Sequence, residues 1–479
     1  MNVVFDFDTV ARKCKVISEH LPQIRELFSV EDKAMFFVHK RYGRNTPARK
    51  YAITNKGTFD APFFETICEE IITKFPSLKI SPTKKFIEYW KPEQIASAPI
   101  NLNLTPRDYQ IDSAASALNK GRGIIVLPTS AGKTLTIALM ASTAFKTKMY
   151  KTLVLVPNIQ LVEQTYQDFL DYGIDISSIS KWTGNYDYQE TDIVIANNQI
   201  LLSEKQDTTV IKNFNMLIVD ECHKLASAEK ITKLVKNLNC KHVFGFTGSL
   251  PSEQFNVWTL NRIFGPVLYH KKSIELRENH FISKVRVVAL ELEYKNVPHF
   301  TKSNMSDPTA GYEEEITWLH TNNFRNNIIQ KLVKNLNTNT LILVDRIVHG
   351  EYLLNFLQAN LDCKQIFFIQ GSVDVQEREN VRQIMENQTG IVCIAISKIF
   401  STGISIKNLH NVVFAAIGKA RIKIIQSIGR SLRLHETKNI ATIFDIADNN
   451  LTYGNKHYTE RKEIYTNEQI PLLSKIIVE

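Results

Sequence analysis

From about residue 100 onward the chain alternates short apolar runs with longer stretches in which apolar positions recur every three or four residues. The runs predict strands at 124–127, 153–156, 193–196, 216–219 and 243–246, then a second series at 341–344, 366–369, 391–396, 412–416 and 442–446. Continuous apolar strands separated by helical stretches belong to parallel sheets covered on both faces. The two series repeat an architecture, not a sequence. Ahead of them the pattern differs. Alternation in Val3-Val4-Phe5-Asp6-Phe7 predicts a half-buried strand, 22–28 a short helix, and 62–75 a helix with Ile67, Ile71 and Ile72 on one face. Pro92, Pro99 and Pro106 mark 91–106 as a linker, and 302–308 reads as a loop. The expected fold class is α/β: two parallel-sheet domains in tandem, at 96–285 and 286–479 with a C-terminal tail. A small α/β accessory domain at 1–95 precedes them.

Composition fits this division. A chain of 479 residues, 44% hydrophobic, is long enough for about three domains with full cores. The net charge of +9 favours a polyanionic partner. Cys14, Cys68, Cys222, Cys240, Cys363 and Cys393 are scattered without a CxxC pair, which argues against zinc sites and a disulfide framework and for a reducing compartment. No signal peptide or membrane-spanning run is visible, so the expected location is the cytoplasm, with no membrane partner. The stretch 33–56 concentrates Lys33, Lys40, Arg41, Arg44, Arg49, Lys50 and Lys56 without an acid and interleaves Phe36, Phe37, Tyr42 and Tyr51. It reads as a basic hairpin turning at 41–45. Two readings stay open: a grip on a nucleic-acid backbone through Arg41, Arg44, Arg49 and Lys50, with Tyr42 stacking on a base, or a solvated strand face with Phe36 and Tyr51 in a core.

Three constellations carry chemistry. Leu127-Pro128-Thr129-Ser130-Ala131-Gly132-Lys133-Thr134 follows a predicted strand and opens a predicted helix. Small residues there let backbone N–H groups close around phosphates at a helix N-terminus. Lys133 would contact the β- and γ-phosphates of ATP, and the Thr134 hydroxyl would coordinate Mg²⁺. Leu127 stands where such a loop usually has its first glycine. About 90 residues on, an apolar strand ends in Asp220-Glu221-Cys222-His223. Asp220 would hold Mg²⁺, and Glu221 would orient the attacking water. Late in the chain, Gln426, Arg430 and Arg433 recur on one helical face. Two guanidinium groups there suit the charge of a transferring phosphoryl group; a basic surface face is the other reading.

Taken together, these segments resemble superfamily 2 helicases. Arg107-Asp108-Tyr109-Gln110 resembles a Q motif, 128–134 motif I, 156–164 motif Ia, 220–223 motif II, Thr247-Gly248-Ser249 motif III, 401–405 motif V and 426–433 motif VI. Segments 127–134 and 400–409 and the hairpin at Arg41 resemble, more narrowly, the bacteriophage UvsW-type branch-migrating helicases. The resemblance covers about 100–448 and extends weakly over 1–95. It implies two RecA-like domains around an ATP cleft. Arg107 and Gln110 would hold the adenine; Pro128, Thr129, Ser130, Ala131, Gly132, Gly403 and Gln426 complete the nucleotide contacts. His223, Thr247 and Ser249 would couple nucleotide state to movement. Asn158, Gln160, Gly184, Ser372 and Thr402 would contact one nucleic-acid strand. It further implies an ATP- and Mg²⁺-dependent DNA helicase or translocase acting on forks, Holliday junctions and R-loops in recombination, repair and replication, moving 3′ to 5′ in a phage host's cytoplasm. The alternatives are an RNA helicase, a duplex translocase without unwinding, and a binding protein with a dead ATPase. Ser405 replaces the Asp of many relatives, and Cys222 makes the box neither DEAD nor DEAH. Protein partners are not legible.

Overall fold

The computed structural model describes residues 2–8, 13–32, 35, 48–90, 93–96, 100–202, 208–237, 240, 242–301, 310–361, 364–397, 406–416, 429 and 438–479. The chain forms two compact units, the first built from Met1–Leu127 with Gly132–Lys271, the second mainly from Lys272–Glu479.

The first unit begins with β1 (Asn2–Asp8), β2 (Lys13–Ile17), β3 (Ser29–Glu31), β4 (Arg49–Tyr51), β5 (Thr58–Phe59) and β6 (Lys79–Pro82). Four of these make a mixed sheet in the order β5-β2-β1-β6, and β3 and β4 pair as an antiparallel ribbon. The alternation in β1 puts Val3 and Phe5 inside, where Phe5 meets Phe59 and Phe64 edge-on with centroids 5.7 and 4.8 Å apart. The helix Phe64–Lys74 buries Ile67 and Ile71, four residues apart. Ile72 is 60% exposed, so the expected three-residue face narrows to two; one residue past Ile71 the helix has already turned about 100°.

This small core is completed from the larger sheet domain. Trp258, on the helix Gln254–Phe264, packs against Phe28 with centroids 5.6 Å apart. Beside it, Asn261 donates to the Thr66 hydroxyl at 3.2 Å, and Arg262 Nε donates to Asp60 at 2.7 Å. Trp258→Ala removes a nearly buried indole from both bodies and should lower unfolding stability by about 3–5 kcal/mol. Denaturant titration of the two proteins measures this.

Seven strands then form one parallel sheet: β7 (Arg122–Val126), β8 (Thr152–Val156), β9 (Ile179–Trp182), β10 (Ile193–Asn197), β11 (Met216–Val219), β12 (His242–Thr247) and β13 (Val267–His270), in the order β13-β7-β12-β11-β8-β10-β9. The five expected strands are its centre. The edges β9 and β13 were not expected, because Ser180 and Lys181 interrupt one run and the other is only half-buried.

The second unit is a further seven-stranded parallel sheet: β14 (Lys284–Glu293), β15 (Thr340–Val344), β16 (Ile366–Ile369), β17 (Val392–Ile396), β18 (Asn411–Ala416), β19 (Ile440–Asp448) and β20 (Leu472–Val478), ordered β16-β17-β15-β18-β19-β14-β20. The units divide after Lys271, not at the expected 285/286, a boundary that would cut through β14. The expected tail contains β20, which pairs along β14 from Leu472 to Val478. Among the described residues no helix is long and apolar enough to cross a membrane.

Candidate functional site

The buried strand β7 delivers the chain into a tight loop and then into the helix Lys133–Lys148. The loop is tied at its entry, where Leu127 N–H donates to the Thr247 carbonyl at 3.0 Å, and across its tip, where Ala131 N–H donates to Pro128 O at 3.1 Å. Ser130 and Gly132 both have positive φ, +70° and +78°. At Gly132 glycine is required twice: the conformation is left-handed, and a Cβ would lie 2.4 Å from Gln110 Nε2. The first N–H groups of the helix have no partner within it and suit an anion. Lys133 Nζ stands 3.5 Å from the Leu127 carbonyl and 3.8 Å from Glu221 Oε1, its side chain 10% exposed.

Glu221 comes from the end of β11. Asp220 N–H donates to Leu155 O at 2.8 Å, extending the sheet by one residue. The chain then turns sharply, with Glu221 at φ +49° and its N–H donating to Asp220 Oδ1 at 2.9 Å. Burial, then the neighbouring Glu221 charge, pushes the Asp220 carboxyl up to about 6. Burial also opposes ionisation of Glu221, but Lys133 and His223 outweigh it and hold that carboxyl well below its usual range. Glu221 is therefore the more acidic member of the pair.

His223 Nδ1 lies 2.9 Å from Thr247 Oγ1 and 3.2 Å from Glu221 Oε2. The Thr247 hydroxyl donates its one hydrogen to the Ser249 carbonyl at 2.8 Å. Its oxygen must then accept from His223, which assigns the hydrogen to Nδ1. A continuous chain of contacts results, from Lys133 through Glu221, His223 and Thr247 back to the loop entry at Leu127. It joins three segments that the sequence placed far apart. Cys222 takes no part: it is fully buried, and a Cβ on Gly245 would lie 2.8 Å from its sulfur. The letter at this position records packing against β12.

Gln110 opens the helix Asp108–Lys120 and is 3% exposed. Its oxygen accepts from Arg107 N–H at 2.8 Å and its amide nitrogen donates to Gly132 O at 3.4 Å, while Arg107 Nη1 donates to the Tyr109 hydroxyl at 3.1 Å. Gln110 thus holds the loop as well as its own helix. The donor set fits ATP with Mg²⁺: a loop whose glycine admits no side chain, one cation, and hard oxygen donors on Thr134 and the half-buried Asp220.

The candidate nucleic-acid contacts are dispersed. Asn158 caps the helix Ile159–Asp171, accepting from Leu161 N–H at 2.9 Å, with half-buried Gln160 in its first turn. Gly184 is exposed, and a Cβ there would meet nothing within 4 Å, so packing does not demand the glycine. Ser372 is exposed between β16 and the helix Val375–Asn387. Arg49 and Lys50 lie on β4, where Arg49 pairs with Glu26 at 3.0 Å and Lys50 with Asp32 at 3.2 Å. Tyr51 is exposed beneath the Arg25 guanidinium, 4.5 Å from its centroid, and not in a core. Arg41, Tyr42, Arg44, Thr402, Gly403, Gln426, Arg430 and Arg433 lie outside the described residues. Not singled out from the sequence, Asn197 and Asn198 stand at the carboxyl end of β10, their buried amide oxygens without a partner among the described residues. A polar pair closing an apolar strand was their only sequence signal.

Comparison with known proteins agrees with this geometry. Residues 103–252 match the family described as type III restriction enzyme, res subunit, and residues 325–435 match the helicase conserved C-terminal domain. The chain is 30% identical over 419 residues to the ATP-dependent DNA helicase uvsW of Enterobacteria phage T4, covering 82% of this chain and 81% of that one. A fragment of a putative HsdR subunit of a type I restriction enzyme from Vibrio vulnificus YJ016 shares the fold, with a TM-score of 0.59 at 18% identity over 79% of this chain and 69% of its own. S. cerevisiae Dbp5, solved with RNA and ADP BeF3, also shares the fold, with a TM-score of 0.54 at 13% identity over 78% and 90%. With these family matches over 103–252 and 325–435 and this phage relative along four-fifths of its length, the chain belongs to the superfamily 2 helicases, in the UvsW-type group.

Proposed function

We propose that the chain is an ATP-driven DNA helicase and translocase that remodels branched DNA, regressing forks, migrating Holliday junctions and displacing RNA from R-loops, with 3′-to-5′ movement on one strand in the host cytoplasm. The observation that carries the reading is the contact chain from Lys133 through Glu221, His223 and Thr247 to Leu127, because it joins the cation placed for phosphate to the carboxylate placed for water and to the Thr247–Ser249 turn. The T4 relative, an ATP-dependent DNA helicase by name, supports the choice of DNA.

Bound ATP with Mg²⁺ supplies the phosphoryl group and the cation that screens it, held by Thr134 and Asp220. Lys133 binds the terminal phosphates. Glu221, ionised, accepts hydrogen bonds from the attacking water and orients it. His223 fixes the Glu221 carboxylate, and Thr247 fixes His223. Arg107 and Gln110 contact the adenine. Arg430 and Arg433 stabilise charge on the transferring group, with Gln426 and Gly403 beside the nucleotide. If so, Arg433→Ala should slow turnover by a factor on the order of 10³ while changing ATP affinity far less, as steady-state kinetics with nucleotide titration will separate.

Junction choice falls to residues 1–95, since a motor gripping one strand does not by itself recognise a branch. Replacing Arg41, Arg44 and Arg49 with Ala should weaken junction binding and lower its salt slope by roughly one per lost phosphate contact. The Glu26 pair lowers the contribution expected of Arg49. Binding at two salt concentrations measures it, and unchanged affinity and slope would remove this role. The function as a whole is tested with a synthetic four-way junction. Conversion to its arms that requires ATP hydrolysis is expected. Hydrolysis without conversion would leave only translocation on duplex.

A further inference from the structure

The second unit holds a pocket that the nucleotide chemistry does not use. It opens at the carboxyl ends of β15, β18 and β19, with a volume of about 50 Å³. A space holding one water needs about 10–15 Å³ on this measure, so there is room for several waters or one tetrahedral oxyanion. Four polar atoms around it are buried without a partner among the described residues: Arg325 Nη1, His320 Nε2, and both ring nitrogens of His349. Arg325 is 1% exposed, His349 fully buried and His320 6% exposed, and all three line the pocket.

The rest of Arg325 is committed. Nε donates to Asp448 Oδ1 at 2.9 Å and Nη2 donates to the Ala415 carbonyl, which fixes the guanidinium plane and leaves Nη1 as the unmet donor. His320 and His349 stack with centroids 4.3 Å apart and planes 9° apart. Burial, then the Arg325 charge, pushes His320 down to about 4 and His349 well below its ordinary value. Each ring is therefore neutral and carries one N–H. The lining carboxylates are already engaged: Asp448 accepts from Arg325 and from the Tyr294 hydroxyl, and Asp345 accepts from Ser397. Three guanidinium groups line the pocket (Arg325, Arg346, Arg461) against two carboxylates (Asp345, Asp448). Arg346 and Arg461 are paired with Glu313 at 2.6 Å and Asp445 at 2.8 Å.

Counted with Glu313 and Asp445, the carboxylates offset the three guanidinium charges, so the pocket is defined by its donors: the unmet Arg325 N–H and two neutral imidazoles around a cavity of oxyanion size. We propose that this pocket binds a phosphate-class oxyanion, either free phosphate or one phosphodiester of a nucleic-acid backbone. The site is independent of the P-loop and of the helicase reading.

Thermal unfolding of the full chain tests it, with inorganic phosphate against chloride at matched ionic strength. Saturating phosphate should raise Tm by about 2–4 °C. The shift should persist in Lys133→Ala, which weakens the P-loop, and vanish in His349→Phe, which keeps the ring stack. Should His349→Phe fold poorly, ¹⁵N resonances of the imidazoles in the wild-type chain provide the second readout, and phosphate should move them. Displacement of phosphate by single-stranded DNA identifies a backbone phosphodiester as the occupant; no displacement identifies free phosphate. A shift lost in Lys133→Ala and kept in His349→Phe overturns the proposal, as does a wild-type chain whose Tm and imidazole resonances ignore phosphate.

Discussion

Lys133→Ala should abolish measurable ATP turnover, a loss on the order of 10³-fold or more. Lys133 is the cation placed at the helix start that follows β7, where terminal phosphates would sit. Its removal has a second consequence. Lys133 is the largest influence that lowers the Glu221 carboxyl against the effect of burial, so that carboxyl rises when the ammonium is gone. The variant thus loses a phosphate contact and weakens the ionised state of the group that orients water. Because the side chain is mostly buried, the comparison needs a folding control by thermal melt. Near-normal turnover by a folded variant would sink the assignment of this loop.

Glu221→Gln should be nearly as severe by a different route. The amide keeps the shape and still bonds to His223, but it cannot act as a base, so turnover should fall by a factor of about 10²–10⁴. ATP binding should survive or tighten, since a charge that repels phosphate has been removed. His223 Nδ1–H is directed at Thr247 and Glu221, so this variant should leave the Thr247–Ser249 turn in place. A Kd for ATP raised in step with the loss of turnover would instead make Glu221 a ground-state contact.

The central strands were legible because each is an apolar run buried on both faces. β14 was not, although its alternation is plain afterwards: Val285, Val287 and Ala289 point inward between Lys284, Arg286 and Val288. Its charged positions masked a strand that lies between β19 and β20. The basic stretch was legible only in part. A window counted from Lys33 begins one residue after Asp32, and the β3–β4 ribbon brings Glu26 and Asp32 onto Arg49 and Lys50. Charge density along a chain says nothing of charges paired across strands. In the nucleotide site, the motif residues were readable from local strand–loop–helix order. The tie between Gln110 and Gly132, and the route through His223 and Thr247, depend on strand order in the sheet, which places β7 beside β12 and β12 beside β11. The pocket in the second unit had no sequence signal, since Arg325, His320 and His349 come from three helices with no shared motif.

The most direct measurement is steady-state ATP turnover by the full chain, alone and with single-stranded DNA, linear duplex, a four-way DNA junction and RNA at matched nucleotide concentration. Turnover should be low alone, rise strongly with single-stranded DNA and with the junction, and respond weakly to RNA. Stimulation by RNA alone, or no turnover under any condition, would contradict an ATP-driven motor for branched DNA.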